Sequence, residues 1–65
     1  MSAPKPNRIE AVNVLRTPND KPPEEWRVEA IIEDGAIELT LFSGPHAEKR
    51  AEDYARWRYG RFTKR

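Results

Sequence analysis

The chain has no cysteine and only one histidine, His46, among its 65 residues. The first absence excludes disulfides and thiolate metal sites. The second leaves any metal site short of ligands: beside His46 stand only Glu48, Glu52 and Asp53, and structural zinc wants more nitrogen and sulfur than that. Ser2 and Ser43 are the only serines, and no base can be placed beside either for nucleophilic chemistry. Three glycines, at 35, 44 and 60, form no phosphate-cradling pattern. Apolar runs are short. None approaches the roughly 18 residues of a membrane span, and "MSAPKPNRIEAVNVL" is too interrupted for the apolar heart of a secretory leader. These absences lead to the expectation of a cytoplasmic, non-enzymatic chain without metal, cofactor or membrane.

Charge is balanced in total, at +1, but not in position. Residues 20–38 carry seven acids against Lys21 and Arg27, and residues 56–65 carry Arg56, Arg58, Arg61, Lys64 and Arg65 with no acid. Opposed blocks of this kind either attract one another within the fold or create a steering field outside it. At this length only one domain is expected, with a core near the lower limit of sufficiency. Such a domain gains from a partner chain.

Residues 1–7, "MSAPKPN", read as a flexible arm, residues 8–62 as the domain and residues 63–65 as a basic tail. A first strand is expected over 8–15. Its alternation is imperfect: Ile9, Ala11, Asn13 and Leu15 share one face, Glu10, Val12 and Val14 the other, and either could be buried. Three prolines with Asn19 and Asp20 make 16–25 a loop. Strands 26–33 and 36–42 flank Asp34-Gly35, a pair that favours a two-residue type I′ hairpin. That register would oppose Ile32 to Ile37, Ala30 to Leu39 and Val28 to Leu41 on one aliphatic face. Arg27, Glu29, Ile31, Glu33, Glu38, Thr40 and Phe42 would fall on the other.

A helix is expected over 45–59, with Ser43 or Gly44 as cap and Pro45 in its first turn. Ala47, Ala51, Tyr54, Ala55 and Arg58 share one side of it. Gly60 suits a left-handed C-terminal residue, with Phe62 folding back as its apolar companion. Glu48, Glu52 and Asp53 are available to pair with Arg56. The fold class is therefore α+β: an antiparallel three-stranded sheet in β-β-β-α order, with one helix on one face. So small a two-layer fold has little room for a substrate pocket of several hundred Å³.

Binding is what remains. The face away from the helix offers Arg27, Ile31 and Phe42 as a surface for an unknown protein partner or a second copy of the chain. An alternative is a nucleic-acid-binding accessory protein. Arg50, Arg56, Arg61, Lys64 and Arg65 would then meet phosphates, and Trp57 would stack on bases.

Over residues 26–60, "WRVEAIIEDGAIELTLFSGPHAEKRAEDYARWRYG" resembles the three-strand-plus-helix DNA-binding domains of the plant AP2 type and the integrase arm-binding type. The likeness lies in Trp26, Val28, Glu29, Gly35, Phe42, Ala47, Glu48, Ala51, Tyr54 and Ala55. It implies the same arrangement of strands and helix. Those domains read the major groove with arginines and tryptophans on the exposed sheet face. Here the corresponding face is expected to hold one base, Arg27, and three acids, Glu29, Glu33 and Glu38. The resemblance therefore carries the fold, and the groove-reading residues are not matched.

Overall fold

A computed structural model describes residues 8–18 and 22–65. The arm expected over 1–7, and Asp20 and Lys21 of the acidic block, lie outside the described residues. The elements follow in the order β1 (Ile9–Arg16), β2 (Glu25–Ile32), β3 (Ile37–Ser43), α1 (Ala47–Tyr59) and β4 (Thr63–Lys64). The α+β class holds. The sheet has a fourth strand, however, in the order β3-β2-β1-β4. Thr63 and Lys64 pair in parallel with Asn13 and Val14, and the Arg65 N–H donates to the Val14 carbonyl at 2.9 Å. The segment expected as a basic tail is thus tied into the sheet. A parallel pair needs a long crossover, and α1 supplies it by carrying the chain from one sheet edge to the other.

β1 resolves its ambiguous face with a bulge. Ile9 pairs with Ile32 while Ala11 pairs with Ile31, so Glu10 is the extra residue. The irregularity brings Ile9 as well as Val12 and Val14 to the helix side, where Val12 and Val14 are buried and Ile9 packs against them. The imperfect alternation is the signature of that bulge.

The β2–β3 hairpin departs from expectation by one residue. Ile31, and not Ile32, pairs with Ile37, and the ladder continues through Glu29–Leu39, Arg27–Leu41 and Trp26–Phe42. The reason lies in the loop. Of Glu33, Asp34 and Gly35, only Gly35 has positive φ, at 95°, whereas a type I′ turn needs it at two successive residues. The Gly35 N–H donates to the Ile32 carbonyl at 2.8 Å, and the Ile32 N–H to the Ala36 carbonyl at 2.8 Å. The Ala36 N–H donates to Asp34 Oδ1 at 2.9 Å. This is a three-residue loop ending in a glycine bulge. One residue of slip turns every β3 side chain to the opposite face.

α1 lies over β2 and touches β1 and β3. Its buried residues are Ala47, Ala51 and Ala55, and beneath them lie Val12, Val14, Trp26, Val28 and Ala30. Alanine gives little burial per residue but lets the helix approach closely, so the partners below are mostly small or β-branched, with Trp26 the one large ring among them. The helix starts two residues later than expected. Gly44, Pro45 and His46 form a turn closed by the Ala47 N–H donating to the Gly44 carbonyl at 3.2 Å. Its third position, His46, has φ 61°, the sign a type II turn requires after proline. Among the described residues no side chain caps the N-terminus. At the other end Gly60 is left-handed and its N–H donates to the Arg56 carbonyl. Phe62 folds back on the core, as expected.

Candidate functional site

With α1 on one side, the other side of the sheet is open. Strand alternation and the observed register place three rows on it: Ile37, Ile31 and Ala11; Leu39, Glu29 and Asn13; Leu41, Arg27 and Leu15. Ile37, Leu39 and Leu41 are 58%, 54% and 55% exposed, on an edge strand. Scattered exposed apolar residues are ordinary, but three in one row beside half-buried Ile31, Ala11 and Leu15 make a contiguous patch. Asn13 is buried there and accepts from Arg65 Nε at 3.2 Å.

Of the three residues expected as a partner surface, Arg27 and Ile31 lie on this face and Phe42 does not. The shifted register turns Phe42 towards α1, where its ring stands 5.5 Å from that of Tyr54 and the Arg50 guanidinium lies 5.7 Å from its centre. Glu38 and Thr40 turn with it. Thr40 Oγ1 is 3.5 Å from the Tyr54 hydroxyl, and the Tyr59 hydroxyl donates to Glu38 Oε1 at 2.7 Å. Arg58 is 3.7 Å from the same oxygen. Burial, then the bond to Glu38, pushes the Tyr59 phenol above its ordinary pKa. Arg58 is likewise raised, first by its hydrogen bond with Tyr59, then by Tyr54 and Glu38. An aromatic flank of the helix therefore occupies the space in which Leu39 and Leu41 were expected.

The basic, aromatic C-terminal region is largely occupied within the chain. Arg56 pairs with Asp53 at 3.5 Å and covers the Phe62 ring at 5.4 Å. Glu48 and Glu52 do not join that pair: both bind Lys64, whose Nζ also sits 5.6 Å from the centre of the Trp26 ring. Hydrogen bonds from Glu48 and then Glu52 raise the Lys64 pKa. Arg61 donates to the Ile9 carbonyl at 2.9 Å, Arg65 to Asn13, and Arg50 covers Phe42. Trp57 stands apart from these partnerships in being 78% exposed, although its ring keeps a tilted contact with Tyr54 at 6.1 Å.

A cleft of ≈ 150 Å³ opens beside the β1 bulge, lined by Glu10, Ala11, Val12, Arg61, Phe62 and Thr63. That is below the size of a typical small-molecule site. Among the described residues no helix is long and apolar enough to cross a membrane. The chain matches no family model, no curated protein and no solved structure. Sequence reasoning missed Ile37, Leu39 and Leu41 as surface residues. The signal available was Gly35, which serves a three-residue glycine-bulge loop as well as a two-residue one, together with the aromatic pair Phe42 and Tyr54.

Proposed function

We propose that the chain is a small non-enzymatic protein-interaction module whose binding surface is the open face of its sheet. One observation carries this reading: Ile37, Leu39 and Leu41, each more than half exposed, run in one row along that face. Exposed aliphatic area costs solvation free energy, about 25 cal/mol for each Å² that a partner would remove from water. The row adjoins further half-buried aliphatics and forms no part of the core beneath α1. A photo-crosslinking residue placed at position 39 in the native host tests the reading, with position 49 on the exposed side of α1 as control. Protein adducts are expected from 39 well above those from 49. Adducts that are absent, or equal at the two positions, sink the proposal.

Nucleic-acid binding by the helix C-terminus is the second reading, and Trp57 is what favours it. Against it stand the internal partners of Arg56, Arg61, Lys64 and Arg65. Each such contact would have to be given up before phosphate neutralisation could begin.

A further inference from the structure

We infer that the occupant of the open sheet face is a second copy of this chain, stacked face to face with its strands antiparallel. The inference rests on the interaction reading above and adds the partner's identity, which follows from the charges on the face.

β2 presents Glu25, Arg27 and Glu29 in a line on the open side, spaced by two residues each, or roughly 6.7 Å. Many charged side chains elsewhere find one another: Arg16 with Glu24, Asp53 with Lys49 and Arg56, Glu38 with Arg58, and Lys64 with Glu48 and Glu52. Among the described residues Glu25, Arg27 and Glu29 have no such pairing. Arg27 is the most constrained of the three. Its cross-strand neighbours are Leu15 and Leu41, and among the described residues its buried Nε has no hydrogen-bond acceptor. A half-buried guanidinium between two leucines, with no carboxylate beside it, is costly unless a counter-charge arrives from outside.

A second copy brings one. Let a two-fold axis lie in the interface, perpendicular to the strands, at the level of Val28 on β2. Residue 27 of one copy then faces residue 29 of the other, and the relation holds in both directions, as an isologous contact demands. Arg27 meets Glu29 of the partner subunit, Glu29 meets Arg27 of the partner subunit, and Leu39 meets Leu41 of the partner subunit. An axis parallel to the strands and passing over β2 would set Glu29 over Glu29 of the partner subunit and Arg27 over Arg27 of the partner subunit. Of these two axes charge favours the antiparallel one, which leaves Glu25 opposite Ile31 of the partner subunit at the rim. Side-by-side pairing of two β3 edges would leave the apolar face uncovered and Arg27 unsatisfied.

The size of the patch sets the strength. Three strands of seven or eight residues present a footprint of roughly 350 Å² per copy, less than half that of a standard interface, so the association is a weak and transient one. A dissociation constant on the order of tens of micromolar or weaker is expected, and the area alone does not fix it.

Sedimentation equilibrium on the full chain from about 5 to 500 µM, a span around that constant, is the test. The wild-type mass is expected to rise from 7.6 kDa towards twice that value. Arg27→Glu alone and Glu29→Arg alone should each remain monomeric, because each sets like charges opposite one another. An equimolar mixture of the two single variants should associate, since both cross-pairs are then of opposite sign. The double variant should associate with itself for the same reason. Circular dichroism establishes that each variant is folded, and association in the mixture or the double variant excludes misfolding as the cause of monomeric singles. Singles that associate as wild type does, or a mixture and double variant that both stay monomeric, overturn the antiparallel pairing. A wild-type chain monomeric throughout overturns the self-partner while leaving the interaction reading to the crosslink at position 39. A heterologous adduct there would identify an occupant other than a second copy.

Discussion

Neighbouring residues of β3 provide the sharpest check on the face assignments. Phe42 packs on Tyr54 and lies partly buried against the core, whereas Leu41 is 55% exposed on the open side. Full burial of a phenylalanine is worth about 3–5 kcal/mol on truncation to alanine. Phe42 is partly and not fully buried, so Phe42→Ala should cost somewhat less than that, at least about 2 kcal/mol including its aromatic contact with Tyr54. Leu41→Ala opens no cavity and should cost only about 0.5 kcal/mol. For a chain of this size the first corresponds to a fall in Tm of roughly 8–16 °C and the second to a few degrees. Thermal unfolding followed by circular dichroism at low micromolar concentration, where association does not contribute, reads both. A hairpin closed by a two-residue loop would put Leu41 under the helix and Phe42 outside, and would reverse the order. Leu41→Ala as damaging as Phe42→Ala, or more so, would refute the register and every surface assigned from it.

His46→Gly should stabilise the fold by about 0.5–1 kcal/mol. A left-handed L-residue costs about 1–2 kcal/mol, and His46 has φ 61°; glycine's greater unfolded-state entropy returns part of the gain. A lower Tm would show that the His46 side chain contributes something the turn geometry does not reveal. Stability should also fall in alkali. Tyr59 and Lys64 both have raised pKa values in the folded chain, so the fold holds their protons more tightly than the unfolded chain does. Their contribution is complete below about pH 10 and is lost as pH climbs through the elevated folded values. Urea midpoints measured from pH 8 to 12 should drop above about pH 10, less steeply in Tyr59→Phe; a flat or rising profile contradicts the assignment. Fluorescence anisotropy with duplex and single-stranded probes should show no binding even at low salt, because the C-terminal cations already have partners. Tight, salt-sensitive binding that Trp57→Ala weakens would restore the nucleic-acid reading.

How much of this was legible in the residues depended on how many local solutions each pattern admitted. The helix was legible because Ala47, Ala51 and Ala55 recur at one spacing and Gly60 has a single use at a helix end. β2 was legible because Trp26, Val28, Ala30 and Ile32 recur at every second position, with only Ile31 breaking the polar side of the alternation. Asp34-Gly35 admitted two loops of different length. Aliphatic sorting favoured the wrong one, because Ile37, Leu39 and Leu41 look like core residues. Tertiary packing decided otherwise: Tyr54 and Tyr59 fill the helix flank over β3 and accept Phe42, Thr40 and Glu38 beneath them. β4 was invisible for another reason. Two residues carry no periodicity, and their pairing with Asn13 and Val14 is made across the whole domain. Of the residues expected on the open face, Arg27 and Ile31 could be placed from β2 alone, while Phe42 was misplaced because it depended on the loop.

The same packing has a thermodynamic consequence. A core built mainly from valine and alanine, with Trp26 and Ile32, is small under a close helix, yet three large aliphatics lie outside it on β3. If a second copy covers them, folding and association are linked, and stability must depend on concentration. At about ten times the dissociation constant the linked gain is about 1.4 kcal/mol, or roughly 6–11 °C in Tm for a chain of this length. Leu39→Lys should abolish that dependence while leaving the Tm at high dilution nearly unchanged, because position 39 is outside the core. A wild-type Tm constant across a hundredfold concentration range would mean that the leucines are covered by something else or by nothing. An equal slope in Leu39→Lys would mean that the chain associates through a surface other than its open face.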